Sequence, residues 1–144
     1  MDKGKIFKIN NFCQDRSEII LAYLFGSQAT GKTGPLSDID LAFLVDKALI
    51  DKAAYPYGYH AYLTSEMISL LGSNNVDVII LNDAPPLLKF QVIHRGEVIF
   101  CRSKSDRLAF YIRAFNEYQD IKPLLTVQHS YLMKRLKTPE IRRS

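Results

Sequence analysis

The feature that most constrains the fold of this chain is a pair of short motifs, Gly26-Ser27 and Asp38-Ile39-Asp40, separated by residues 28–37. An apolar run, Ile19–Phe25, leads directly into the first motif. Such a run predicts a buried strand that ends in a tight turn. The apolar residues from 38 to 45 predict a second buried strand that begins at the second motif. The two motifs are therefore expected at neighbouring strand ends.

The residue types in these motifs suit a site for a metal ion and a polyphosphate. Side chains alternate along a strand, so Asp38 and Asp40 share one face. Two carboxylates at the mouth of an apolar strand are costly unless a cation lies between them, and a hard divalent ion is the natural candidate. Gly26 lets a phosphate approach the backbone, and Ser27 adds a hydroxyl donor. Either motif alone is more often structural, so the combination carries the functional interpretation.

The spacing of the two motifs resembles the signature of the polymerase-β-like nucleotidyltransferase superfamily. The stretch from Ala22 to Ala42 is similar to its minimal members, the MNT proteins. Residues 81–86 (LNDAPP) and 95–100 (RGEVIF) are similar to the same region of MNT antitoxins, so the resemblance covers nearly the whole chain. It implies an α/β (α+β) fold with a small mixed sheet of about four strands flanked by helices.

A third carboxylate is expected on the strand predicted at residues 75–81. Asp77 is the charged residue of that run and lies on the opposite face from Val76 and Val78. On its own it could equally be an edge or capping feature. The resemblance implies that it joins Asp38 and Asp40 as a catalytic metal ligand, with two Mg²⁺ ions expected, and that it completes the second metal site or accepts a proton.

The resemblance also implies the substrates and the partner. Gly26 and Ser27 would hold the phosphates of ATP, and AMP would pass to a tyrosine of a cognate HEPN-type RNase toxin, which makes the chain an antitoxin. A module that neutralises its partner by contact alone stays open, because Gln28 replaces a basic residue that many family members carry. Small-molecule (aminoglycoside-type) nucleotidyl transfer also stays open, although little chain remains after the core to bind such an acceptor.

The remaining helices follow from periodicity, glycine and proline. We expect a helix within residues 5–17, a helical turn at 28–30, a loop at 31–37 and a helix at 59–71 that Gly72 stops. Another helix follows Pro85-Pro86 and ends near Arg95, before a short strand at 97–101. Residues 47–54 could be helical, and the tyrosines that follow them could stack on a base or simply pack beneath a loop.

The C-terminal part is predicted to be helical and amphipathic. Ser105 is expected as the N-cap of a helix whose apolar stripe includes Leu108, Tyr111, Ile112, Phe115 and Tyr118, and Pro123 should kink or end that helix before another one follows. The expected organisation is a nucleotidyltransferase core at 1–102, a helical extension packed on it at 103–137, and a disordered tail at 138–144.

Composition limits the other classes of function. The formal net charge is +4, and the basic residues near the end could attract RNA or an acidic partner, although a solvated helix end explains them as well. No nucleic-acid motif is present, so direct RNA binding is not expected. Cys13 and Cys101 share no metal-ligand or redox spacing, and no membrane-spanning run or signal peptide is found. We expect a cytoplasmic protein; a homodimer without the toxin stays open.

Overall fold

The computed structural model describes residues 1–26 and 38–137. These residues form a four-stranded sheet and four α-helices. In chain order the elements are α1 (Lys3–Gln14), β1 (Ile19–Phe25), β2 (Ile39–Val45), α2 (Tyr59–Leu71), β3 (Val76–Ile80), α3 (Pro86–Arg95), β4 (Glu97–Cys101) and α4 (Lys104–Lys137).

The sheet is mixed, as predicted, with the strand order β3-β2-β1-β4. β1 pairs antiparallel with both β2 and β4, whereas β2 and β3 are parallel. A parallel pair needs a long crossover connection, and the segment containing α2 supplies it. This order brings the end of β1 and the starts of β2 and β3 to one edge of the sheet.

Helices cover both faces of the sheet. On one face, α1 and α2 pack against alternate residues of β2, and the buried residues include Ile9, Phe12, Leu41, Phe43, Leu63 and Met67. On the other face, α3 and the first part of α4 bury the intervening residues, including Leu21, Tyr23, Leu44, Val92, Phe110 and Ala114. Because the β2 residues from 41 to 45 alternate between the two cores, the register of β2 is fixed.

Local signals set most helix boundaries. The Asp2 side chain accepts a hydrogen bond from the Gly4 amide at the start of α1, and Gly72 ends α2 in the left-handed conformation, with φ at 64°. Residues 47–54 form two short 3₁₀ turns instead of one helix. The turns start where the Asp46 and Asp51 side chains accept bonds from the Ala48 and Ala53 amides.

The predicted N-cap of α4 was wrong by two residues. Lys104 is already helical, and the Ser103 hydroxyl accepts a hydrogen bond from the Asp106 amide at 3.3 Å. An N-cap side chain must precede the first helical residue, so Ser103 takes this role and Ser105 lies within the first turn.

The expectation that Pro123 could end the helix was also wrong, because α4 continues through it, and the helix predicted after Pro123 is the second half of α4. Proline cannot donate to the carbonyl four residues earlier, which is that of Gln119. Gln119 is exposed, so solvent can hydrate this carbonyl and the cost of continuing the helix falls. The buried residues of α4 are Phe110 and Ala114, whereas Leu108, Tyr111, Ile112 and Phe115 of the predicted stripe are exposed.

Other expectations have mixed outcomes. Cys13 and Cys101 are both free thiols. In the part of the chain that the structure describes, no helix is long and apolar enough to cross a membrane. The expectations for Ser27, Gln28, the turn at 28–30, the loop at 31–37 and the tail at 138–144 fall outside the described residues.

Candidate active site

Asp40 lies between two strand neighbours at the sheet edge described above. It is opposite Phe25 in the antiparallel pair and opposite Asp77 in the parallel pair. Residues in register on adjacent strands project from the same face, and adjacent strands are about 4.8 Å apart. The sheet therefore places Asp40 and Asp77 side by side, although residues 41–76 lie between them in the chain.

The third predicted carboxylate, Asp38, is exposed and lies just before β2. Asp40 itself is half-buried, and Asp77 is exposed. All three belong to the edge at which β2 and β3 begin, so the tertiary structure brings together the carboxylates that the sequence analysis selected. Asp40 is the innermost, at the second position of its strand.

The electrostatics of Asp40 reflect this crowding. Its pKa is raised, first because burial disfavours the charged form and then because the charges of Asp77 and Asp38 repel it. Desolvation and like charge act in the same direction here. A cation at this edge would relieve both effects, since it would replace lost hydration and offset the two neighbouring charges.

Gly26 follows the last residue of β1 and lies against the side chain of Asp40. Its φ is 73°, in the left-handed region where glycine is favoured, and a Cβ built on it would overlap Oδ2 of Asp40. The same Cβ would lie 3.2 Å from Cγ of Asp40. The sequence analysis assigned Gly26 to a phosphate, and the structure adds a second requirement: glycine makes room for the carboxylate.

The donor set suits a hard divalent cation such as Mg²⁺, because carboxylate oxygens are the ligands that such ions prefer. Within residues 1–26 and 38–137, no group of three His, Cys, Asp or Glu side chains is arranged to hold a metal ion. Asp38, Asp40 and Asp77 are among the side chains to which this finding applies. A divalent ion held at this edge would also take oxygen ligands from the phosphates of a nucleotide.

One neighbour of the site was not assigned a role from the sequence. Phe25 is half-buried opposite Asp40 and packs at the edge of the core that α3 and α4 cover. As the register neighbour of Asp40, Phe25 extends this core to the edge at which the carboxylate lies. No local signal identifies this pairing, because residues 28–37 separate the two motifs and a connection of that length does not set the register.

The tyrosine cluster belongs to a different part of the molecule. Tyr55, Tyr59 and Tyr62 pack on one another with ring centroids 4.8–5.6 Å apart. The Tyr59 hydroxyl donates to Glu18 at 2.7 Å. Glu18 precedes β1, so the cluster lies about 20 Å from Asp40, at the far end of the strand. The packing interpretation is thus confirmed for these three rings.

Comparisons with known proteins agree with this geometry. Residues 7–105 match the family model of the polymerase beta nucleotidyltransferases. The chain is 29% identical over 122 residues to the protein adenylyltransferase MntA of Shewanella oneidensis, a match that covers 85% of this chain and 81% of the relative.

Solved structures are similar over almost their whole length. A toxin–antitoxin complex with AMP-PNP is matched with a TM-score of 0.71 and 27% identity, covering 92% of this chain and 99% of that chain. A tri-AMPylated Shewanella oneidensis HEPN toxin in complex with an MNT antitoxin is matched with a TM-score of 0.70 and 26% identity, with the same coverage. The matched family model spans more than half of the chain. This chain therefore belongs to the polymerase beta nucleotidyltransferase family.

Proposed function

We propose that this chain is an antitoxin that transfers AMP from ATP to a tyrosine of a HEPN-type RNase toxin. The single observation that supports this most is the pairing of Asp40 with Asp77 at the edge where Gly26 ends β1. The similarity to the adenylyltransferase MntA supports protein as the acceptor. The similarity to an AMPylated toxin in complex with its antitoxin supports the toxin as that protein.

Each site residue has a separate task in this proposal. Asp38 and Asp40 hold Mg²⁺, and Asp77 completes the metal site or accepts the proton of the attacking tyrosine hydroxyl. When bound, the metal ion stabilises charge on the phosphates and lowers the pKa of the attacking hydroxyl. Gly26 and Ser27 hold the distal phosphates of ATP. The protein then contributes mainly positioning and electrostatic stabilisation.

We also propose how the chain is divided. Residues 1–102 form the nucleotidyltransferase core, and residues 103–137 form a helical extension whose first part packs on that core. Phe110 and Ala114 support this division, because they are the buried residues of α4 within the described part of the chain.

A labelled-phosphate assay tests the proposal. The protein is incubated with the purified toxin, Mg²⁺ and ATP labelled at the α-phosphate, and we expect label on the toxin together with released pyrophosphate. The variant Asp38→Asn with Asp40→Asn should transfer none. The matched control, Asp15→Asn with Asp120→Asn, removes the same charge from exposed positions outside the sheet and should keep its activity.

Kinetics separate binding from chemistry. Ser27→Ala should raise KM by the worth of one hydrogen bond to a charged group, about 1.5–3 kcal/mol, because the triphosphate is held before and during transfer. Asp77→Asn should instead lower kcat by about a hundredfold or more while ATP still binds. A kcat within a few-fold of the parent would remove Asp77 from the mechanism.

Gln28 supports a second candidate function, neutralisation of the toxin by contact alone. It follows Gly26-Ser27, where a basic side chain would help to hold a phosphate. If this candidate is right, the Asp38→Asn, Asp40→Asn variant will still inhibit the toxin's RNase activity completely, with no label transferred. If AMP transfer is required, the same variant will leave the toxin active.

A further inference from the structure

The connection between β2 and α2 borders a cavity. This connection comprises residues 46–58 and contains two 3₁₀ turns, at Lys47–Leu49 and Lys52–Ala54. The cavity has a volume of about 400 Å³, within the range of about 300–1,000 Å³ that is typical of small-molecule sites. We call it the turn cavity. It is lined by Lys47, Ile50, Lys52, Tyr55, Gly58 and Tyr59.

Two tyrosine rings and one aliphatic side chain supply its apolar walls. The rings of Tyr55 and Tyr59 meet at 80° with their centroids 5.0 Å apart, so they form two walls at nearly a right angle. The hydroxyl bond to Glu18 holds the Tyr59 ring in place, and Ile50 packs against the core beneath α1 and α2. An aromatic ring can lie on the face of one tyrosine and meet the edge of the other. The walls therefore favour a planar aromatic ligand.

Lys52 is the cation that this lining leaves for a ligand. Lys47 also lines the cavity, but its ammonium group lies 2.6 Å from a carboxylate oxygen of Asp83. Within residues 1–26 and 38–137, the side chain of Lys52 makes no ion pair or hydrogen bond. The lining therefore has one unpaired positive charge beside its aromatic walls.

The carboxylates near the cavity already have partners. Asp46 and Asp51 each accept the amide hydrogen bond that begins a 3₁₀ turn. Asp83 is paired with Lys47, and Glu18 accepts from the Tyr59 hydroxyl. These four carboxylates are not among the lining residues. An anionic group beside Lys52 would therefore gain a counter-charge without displacing an existing ion pair.

We propose that the turn cavity binds a small planar aromatic molecule that carries one anionic group. The tyrosine rings and Ile50 contact the aromatic part, and Lys52 pairs with the anion. The cavity lies at the opposite end of β1 from Asp40, because Glu18, the partner of Tyr59, precedes that strand. Binding there requires neither ATP nor a metal ion, so this proposal does not depend on the proposed AMP transfer.

The probes are anilinonaphthalene sulfonate, an aromatic monoanion, and phenylnaphthylamine, the same molecule without its sulfonate. Both fluoresce more strongly on apolar protein surfaces, so titration of the full chain gives both dissociation constants. Lys52→Gln should weaken the sulfonate probe about three- to fivefold, as expected for one exposed ion pair, and leave the neutral probe within about twofold. Rising salt should weaken only the sulfonate probe.

Three further variants locate the site. Ile50→Ala removes part of an apolar wall and should weaken both probes, because both place their aromatic part there. Lys8→Gln removes an exposed lysine of α1 that does not line the cavity, and it should leave both dissociation constants unchanged. Asp38→Asn with Asp40→Asn should bind both probes as the parent does, so a failure of AMP transfer and a failure of probe binding give different results.

Two results would overturn the proposal. If Lys52→Gln weakens both probes equally, or neither, Lys52 does not pair with the anion. If Ile50→Ala stays folded and binds both probes as the parent does, the probes bind elsewhere on the chain. Lys52→Gln alters an exposed side chain, so it decides the proposal even where Ile50→Ala loosens the packing against the core.

Discussion

Gly26 lies so close to Asp40 that a methyl group on Gly26 would overlap Oδ2 of the carboxylate. The end of β1 and the start of β2 thus fit together only without a side chain at this position. The same carboxylate lies opposite Asp77 of β3 in the parallel pair. Glycine is therefore required at position 26 for two reasons: its positive φ, and the space that Asp40, the candidate catalytic carboxylate, occupies.

Gly26→Ala should destabilise the fold more than Gly72→Ala does. Both glycines have positive φ, so both substitutions carry a conformational cost of about 1 kcal/mol or more, but a Cβ on Gly72 would meet nothing within 4 Å. The overlap with Asp40 adds about 1–3 kcal/mol in Gly26→Ala alone. Urea unfolding measures both, and adding Asp40→Ala to Gly26→Ala should recover most of the difference. Equal costs for the two glycines would contradict the overlap.

Asp40→Asn should raise the free energy of unfolding at pH 7 in metal-free buffer. The folded pKa of Asp40 is raised above its ordinary value of 3.8, so at neutral pH the folded state carries a charge that it disfavours. As the pH falls through that raised pKa towards 3.8, the parent takes up a proton and the advantage of the variant shrinks. Unfolding curves of both proteins from pH 7 to pH 4 test this, with Asp15→Asn as control. A difference in unfolding free energy between variant and parent that stays constant with pH would contradict the raised pKa of Asp40.

Mg²⁺ with a non-hydrolysable ATP analogue should raise the Tm of the parent and leave that of the Asp38→Asn, Asp40→Asn variant almost unchanged. A ligand that binds only the folded state stabilises it according to its concentration and affinity. Chelation with EDTA should return the parent to its starting Tm. An equal rise in the parent and the variant would place the nucleotide and metal away from these carboxylates.

Asn82→Ala should destabilise the fold by about 1–3 kcal/mol. The Asn82 amide accepts a bond from the Val45 amide at 3.0 Å and donates to the Val45 carbonyl at 2.7 Å, so it caps the end of β2. Gln14→Ala removes one exposed side-chain bond to Asn10 and should change stability by less than about 0.5 kcal/mol. If chemical denaturation gives equal values for the two variants, the cap contributes nothing.

Pro123→Ala should stabilise the second half of α4, because it restores a helical hydrogen bond to the Gln119 carbonyl and removes the steric conflict of the ring. Proline costs up to about 3 kcal/mol in a helix interior. Amide hydrogen exchange should slow at residues 119–127, whereas Ser130→Ala should produce only a small change. Unchanged exchange in Pro123→Ala would show that solvent already satisfies the carbonyl fully.

Local patterns in the sequence determined much of this protein. The apolar run of β1 and the left-handed stop at Gly72 depend on residues within one turn or one strand, so periodicity and glycine conformation predict them. The alternation that places Asp40 and Asp77 on the opposite face from Leu41 and Val78 follows from strand geometry in the same way. These features need only near neighbours in the chain.

Tertiary structure decided which of the local signals prevailed. Both Ser103 and Ser105 could cap a helix, and in the structure α4 starts at Lys104, so that Ser103 accepts from the Asp106 amide. Pro123 is a strong stop signal, yet the helix continues where its unpaired carbonyl can face water. The neighbour relation of Asp40 and Asp77 also required the sheet, because strand pairing joins residues far apart in the chain and only burial of both faces fixes their register.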